Sequence, residues 1–380
     1  MSRGAGPSWA TYRVVGATRA GLADAKEGVG KQPERYKLVE PGTIFYNPMR
    51  ILLGSIAFLD EGGVPGITSP DYVVFKTHPG LLHPRWFYYW LRSDAGASFI
   101  KTLARGAVRE RMLFRRLAAA EIDVPPYEVQ CEFARCIPAV ERARAAAEAQ
   151  LHAAKALPVG FLHAVFGGDD AKNWLRVRLS RLSSDPDAFS DGPFGSNLKT
   201  EHYASAGARV VRLQNIGRGA FLDADKAFIA LEHFAGLRRY GVRPGDVVVA
   251  ALGDGARPAG RACVIPDGLG PALVKADCFR LRFPADSVLA PYLAAYLNSP
   301  VALSRVADTM RGATRPRMTL TMLRTVEVPL APVPQQREIL RKLDEQMAAV
   351  ERARAGAEAQ LQAAKALPAA LLRRAFGGAF

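Results

Sequence analysis

The chain has 380 residues, 49% of them apolar, and carries 51 Lys and Arg against 36 Asp and Glu, a net charge of +15. That length suits two to four domains with cores of their own, and no run of about 18 uncharged apolar residues or hydrophobic N-terminal signal core marks a membrane span or secretion. A cytoplasmic protein is expected, and the basic excess points to a polyanionic partner such as nucleic acid, since no strongly basic amphipathic helix favours a membrane surface.

Residues 1–125 read as a first unit of short β-branched or aromatic runs, Tyr12–Val15, Thr43–Tyr46, Ile51–Leu59 and Asp71–Phe75, separated by Gly and Pro. A helix is expected over Arg85–Ile100, with Trp86, Phe87, Tyr89, Trp90 and Leu91 at core spacing. Residues 126–168 form a helical spacer. A second unit, 169–331, has strands near Arg209–Leu213, Asp246–Leu252, Arg261–Ile265 and Cys278–Phe283 and a helix over Ala290–Asn298. A second spacer, 332–380, ends the chain. Cys131, Cys136, Cys263 and Cys278 lack metal-ligand spacing and read as buried free thiols.

The spacers are copies of one another. Residues 141–168 and 351–378 are identical at 20 of 28 positions at an offset of 210. Both are rich in Ala, Glu, Arg, Gln and Leu, strong helix formers. Small or apolar residues recur near a 3.5 period: Val129, Phe133, Cys136, Val140, Ala143 and Ala147 in the first, Leu343, Val350, Ala353 and Ala357 in the second, where polar Gln346 takes the remaining seam position. Matched stripes favour pairing of the two helices, antiparallel because a globular unit intervenes. Lys-Ala-Leu-Pro (Pro158, Pro368) predicts a break, followed by an apolar stub and a Gly-Gly stop. The units echo each other too. Val39-Glu-Pro-Gly-Thr-Ile44 resembles Val242-Arg-Pro-Gly-Asp-Val247, and Gly106-Ala-Val-Arg-Glu-Arg-Met112 resembles Gly312-Ala-Thr-Arg-Pro-Arg-Met318. The whole half is duplicated. The second unit, however, has about 35 residues (169 to roughly 205) before its Arg-Val-Val strand that the first lacks, so either the start codon is misplaced or the first domain is trimmed.

This doubled order resembles the specificity (S) subunit of type I restriction–modification systems over nearly the full length. Its signatures are Asp191-Gly-Pro-Phe-Gly-Ser196, Arg212-Leu-Gln-Asn-Ile-Gly217, Ser69-Pro-Asp-Tyr-Val-Val-Phe75, the paired Gly-x-x-Arg-x-Arg elements and Pro334-Gln-Gln-Arg-Glu-Ile339. The resemblance implies an α+β fold with two target-recognition domains separated by an antiparallel coiled coil of two spacer helices, related by a pseudo-twofold repeat. It also implies a non-catalytic reader of a bipartite double-stranded DNA target. Its partners would be two modification (methyltransferase) subunits and motor–nuclease restriction subunits, with S-adenosylmethionine, Mg and ATP confined to those partners. A spacer helix of about 30 residues, roughly 45 Å, would allow ~13 base pairs at most between half-site centres at about 3.4 Å per pair. A reader from another methylation-based defence system, or a coiled-coil adaptor without a DNA role, are the alternatives.

No catalytic constellation is legible. Val124-Pro-Pro-Tyr127 has valine where an amino-methyltransferase needs a polar residue, Gly28-Val-Gly-Lys31 is not a phosphate loop, and the histidines are scattered. The DNA-contact candidates are Arg109 and Arg111 with Arg315 and Arg317, which alternate in an extended stretch and so face one side. To these are added Asn47 and Arg50 in a loop after a strand, Asn197 and Lys199 past the Gly-Pro-Phe-Gly turn, and Arg212, Gln214 and Asn215. Phe161, Phe166, Leu371 and Phe376, on the stubs 158–168 and 368–378, are the candidates for docking modification subunits.

Overall fold

The β-branched runs fold as short strands and the Ala/Glu/Arg/Leu stretches as two long helices. The computed structural model describes residues 12–25, 30, 32–104, 110–253, 257–310 and 317–375. The chain divides into unit one, Met1–Gln150 with Gly356–Phe380, and unit two, Leu151–Ala355.

Unit one contains β1 (Arg13–Thr18), β2 (Gly21–Asp24), β3 (Lys37–Val39), β4 (Thr43–Tyr46), β5 (Ile56–Leu59), β6 (Gly66–Thr68), β7 (Val73–Phe75), α1 (Pro84–Leu91), α2 (Asp94–Leu103), α3 (Phe114–Ala118) and the start of α4 (Tyr127–Gly167). One sheet has the order β2-β1-β6-β3, with β1 and β6 parallel; the other is β5-β4-β7. Two expectations shift here. The run Ile51–Leu59 is a 3-10 turn, Ile51–Leu53, then Gly54 at φ 81, then β5. The helix expected over Arg85–Ile100 is two helices, because the Ser93 hydroxyl accepts from the Gly96 amide at 3.2 Å and caps a new start. The aromatic run is core as its spacing predicts: Trp86 and Trp90 stack at 6.3 Å, both buried.

Unit two contains α5 (Asp169–Lys172), β8 (Leu175–Arg178), β9 (Phe189–Ser190), β10 (Tyr203–Ala204), β11 (Ala208–Val211), β12 (Phe228–Ile229), α6 (Leu231–Gly236), β13 (Gly241–Val242), β14 (Val247–Ala250), β15 (Ala262–Val264), β16 (Ala272–Val274), β17 (Cys278–Leu281), α7 (Ala290–Leu297), α8 (Pro300–Thr309), α9 (Leu320–Thr325), β18 (Glu327–Leu330) and the start of α10 (Val333–Ala375). Its sheets repeat those of unit one: β12-β11-β16-β13 matches β2-β1-β6-β3, again with the central pair parallel, and β15-β14-β17 matches β5-β4-β7. Ser299 caps α8 as Ser93 caps α2. What unit two adds comes from 169–207: β10 extends one sheet, β9 covers the edge of β17, and β8 pairs with β18.

The long helices are tied to both units. In unit one, Phe133 and Ile137 of α4 and Leu372 of α10 join one apolar cluster. In unit two, Leu162 and Phe166 of α4 and Leu343 of α10 join another. The start of one helix thus lies with the end of the other, and α4 and α10 pack antiparallel. The seam differs in phase from the expected one. Gln130, Phe133, Ile137, Val140, Ala147 and Ala154 are buried on α4, whereas Cys136 and Ala143 are exposed and Val129 is half-buried. On α10 Met347 takes the seam place expected of Gln346, and Ala353 is exposed. The true spacing starts one residue later because polar Gln130 belongs to it. Neither proline breaks its helix: α4 runs 41 residues through Pro158, and α10 runs 43 through Pro368. Each interior proline costs about 3 kcal/mol, which burial of the apolar residues beyond it, Leu162 and Phe166 or Leu372, offsets at about 1.5–3 kcal/mol each.

At the head of each helix a buried glutamine makes the same lock. Gln130 Oε1 accepts from the His83 amide at 2.8 Å, and its Nε2 donates to Pro125 and Leu81 carbonyls. Gln336 accepts from the Leu289 amide at 2.9 Å and donates to the Ala331 carbonyl. Gln336 and its two partners, Leu289 and Ala331, each lie 206 residues from their counterparts Gln130, His83 and Pro125.

Candidate nucleic-acid interface

In unit two four chain segments converge at one end of the sheet. The loop Asp191–Ser196 presses on the turn before β17: a Cβ on Gly192 would lie 2.0 Å from the Lys275 carbonyl carbon, so only glycine fits. That turn contains Asp277, at φ 70, a conformation aspartate tolerates better than most residues. Its carboxylate pairs with the Arg317 guanidinium at 2.7 Å. Arg317 in turn lies over the Phe194 ring, 5.5 Å from its centroid. Both side chains remain exposed, Phe194 at 44% and Arg317 at 45%. The backbone fixes their base: Arg317 bridges Leu252, and the Met318 amide donates to the Ala251 carbonyl at 2.9 Å. Phe194 of the Gly-Pro-Phe-Gly turn and Arg317, 123 residues later in sequence, thus form one aromatic–basic surface.

The remaining candidates divide. Asn197, Lys199 and Gln214 are exposed; the Asn197 carbonyl meets His233 Nε2 at 3.0 Å, and Lys199 lies 3.5 Å from Glu201. Asn215 is a correction. It is fully buried, its Oδ1 accepting from the Arg212 amide and its Nδ2 donating to the Leu222 and Asp225 carbonyls, so its amide shapes the loop and cannot reach a base. Arg212 is partly spent as well: its guanidinium pairs with Asp225 and is 26% exposed. Arg109 and Arg315 lie outside the described residues.

In unit one, Asn47 Oδ1 accepts from the Met49 amide at 3.0 Å, closing a turn that holds exposed Arg50. The Met112 amide donates to the Pro48 carbonyl at 3.1 Å, which brings exposed Arg111 to the same loop. Arg50 lines a cleft of about 820 Å³ with Arg19 and Arg92. The two units therefore place the basic element beside the loop after the central strand in the same way.

Sequence reading missed the groups that hold these loops. Arg261, 1% exposed, donates to the Leu213, Ile216, Leu252 and Pro258 carbonyls at 2.8–3.0 Å and ties the loop of Gln214 to the segment bridging Arg317. Arg92 does similar work in unit one, reaching the Ile56 carbonyl at 3.2 Å and the Arg19 carbonyl at 2.5 Å. Their one-dimensional signal is nil, since a buried arginine and a surface one look alike in a basic chain.

The docking candidates also divide. Phe166 is corrected: it is 1% exposed, packed against Tyr292 and Tyr296 at 5.4 and 5.3 Å, and belongs to its own unit's core. Phe161 and Leu371 are half-buried against their clusters, and Phe376 lies outside the described residues. Cys263 and Cys278 are buried as expected, while Cys136 is exposed and Cys131 half-exposed on α4. Among the described residues no helix is long and apolar enough to cross a membrane.

No family model and no curated protein matches the sequence. Solved structures do. A chain from a structure on complex assembly and conformational transition of the type I R-M system is 20% identical, with 93% of this chain and 86% of that one covered and a TM-score of 0.64. The HsdS subunit from Thermoanaerobacter tengcongensis is 21% identical, with 97% and 91% covered and a TM-score of 0.52. The chain shares their fold: mixed helix and sheet, with two long helices packed on each other.

Proposed function

We propose that this chain is the specificity subunit of a type I restriction–modification complex, reading a bipartite DNA target and directing adenine methylation by partner subunits. The observation that carries this reading is the duplicated presentation of a basic element beside the loop after the central strand, once per unit, on two paired helices. Two exposed basic surfaces match two half-sites, arginine being suited to guanine edges and phosphate alike. The fold shared with type I R-M structures supports the same reading. The chain itself performs no chemistry in this proposal; S-adenosylmethionine, Mg and ATP are bound by the modification and restriction subunits, and the helices seat two modification subunits.

Methylome sequencing of the host with and without the gene tests it. Loss of adenine methylation at a split motif is the expected result, and an unchanged methylome overturns the reading. Within the assembled complex, Arg317→Ala is expected to weaken DNA binding about tenfold or more and relax one half of the motif, in line with about 1–3 kcal/mol for a base-edge arginine.

A further inference from the structure

The two units agree in topology, so one shows what the other's surface is shaped to accept. In unit two, residues 175–190 lie as a strap across three elements. β8 pairs antiparallel with β18, Val177 opposite Val328 and Arg178 opposite Glu327, and the Leu179 amide donates to the Val326 carbonyl at 2.9 Å. The next turn, Leu179–Arg181, sits on α9, with Leu179, Leu182 and Leu323 buried in one core. β9 then pairs with β17, and Arg324 of α9 lies over Phe189.

The counterparts of β18, α9 and β17 in unit one, 206 residues earlier, are 121–124, α3 and β7. Among the described residues, Glu121–Val124 make no backbone hydrogen bond and β7 is paired only with β4. Every residue of β17 is buried, but every residue of β7 is half-exposed. Phe114, at the head of α3 and 5.8 Å from Phe75, is 46% exposed, and Val124 is 39% exposed. Glu121 stands where Glu327 faces Arg178. An apolar groove bordered by unpaired strand edges is a template for strand addition.

We infer that 121–124, α3 and β7 form a strand-accepting groove, and that its occupant is an extended segment of a second polypeptide. The strap of unit two states the occupant's chemistry: apolar residues alternating with arginines over four positions, as in Leu175-Arg-Val-Arg178, then a leucine-bearing turn over α3. The groove adjoins the loop proposed to read DNA, but its occupant is a protein.

The test uses the full-length chain and a fluorescein-labelled synthetic peptide of residues 174–191, read by anisotropy, with amide hydrogen exchange on the same samples. Saturable binding is expected, with at least tenfold weaker binding for a scrambled peptide, for a Leu179→Glu peptide, and for a Val124→Lys chain. The exposed Val124 makes that variant safe for folding, and the peptide variant leaves the chain untouched. Amides of 121–124 should exchange freely in the chain alone and slow when peptide is added. The inference is overturned if the scrambled peptide binds equally, if Val124→Lys leaves binding unchanged, or if those amides are already protected without peptide, which would mean that the chain fills its own groove.

Discussion

Gln130 and Gln336 show how a single side chain can decide where a long helix begins. Each uses both ends of its amide inside the core, joining the helix head to the segment before α1 or α7 and to the chain just ahead of the helix. Replacing Gln336 with leucine keeps the volume but strands the Leu289 amide and the Ala331 carbonyl. Each buried unpaired group costs about 1–3 kcal/mol, so a loss of about 2–6 kcal/mol is expected in denaturant unfolding. The same change at Gln130 should act similarly, and an effect below 1 kcal/mol at both would show that the lock is dispensable. Burial also separates the cysteines. It pushes the Cys263 thiol up to about 12 and raises Cys278 as well, so neither forms thiolate at pH 8. Iodoacetamide should label Cys136 and then Cys131 on the native chain, and Cys263 and Cys278 only after unfolding, as read by peptide mass spectrometry.

At the scale of elements, the seam of the paired helices sets a sharper test. Ala147 and Ala154 are buried at close-packed positions, whereas Ala143 and Cys136, which the sequence pattern suggests for the seam, face solvent. Ala147→Leu is expected to overpack and cost about 1–3 kcal/mol. Ala143→Leu should stay within about 0.5 kcal/mol, as surface changes do. Equal effects in thermal unfolding would reject this phase. The duplication, the two helices and most central strands were legible in the sequence because they rest on local pattern: Thr43–Tyr46 and Ala290–Leu297 fall where periodicity puts them. The seam phase was not, since Gln130 looks polar and is buried. Nor was the unbroken helix through Pro158, because what holds it is tertiary packing of Phe166 on Tyr292 and Tyr296. Of the candidate site, Arg317 and the Gly-Pro-Phe-Gly turn were found separately, but their meeting across Asp277 depends on chain reversals that no spacing reveals. Asn215 failed for the reason Gln130 did: a polar residue in a loop motif can be the loop's own internal scaffold.

At the scale of the molecule, α4 and α10 each contribute to both units without interruption. A 41-residue helix is roughly 60 Å long, longer than the 30-residue spacer first expected. If the chain reads a split site as proposed, helix length fixes the unread gap. Inserting four residues into each helix adds roughly 6 Å, or about two base pairs. The methylated motif of a strain carrying such a variant should gain that spacing with both half-sites unchanged; a motif of the original spacing would exclude a ruler role.

The division of the chain also orders its birth. Unit two is one continuous stretch, but unit one is closed by Leu372, on the last helix. At about 5–20 residues per second, a ribosome needs roughly 10–40 s to pass through the intervening stretch. Unit one must wait for that interval with part of its core open to chaperones, so the half that is made first is the half that is finished last.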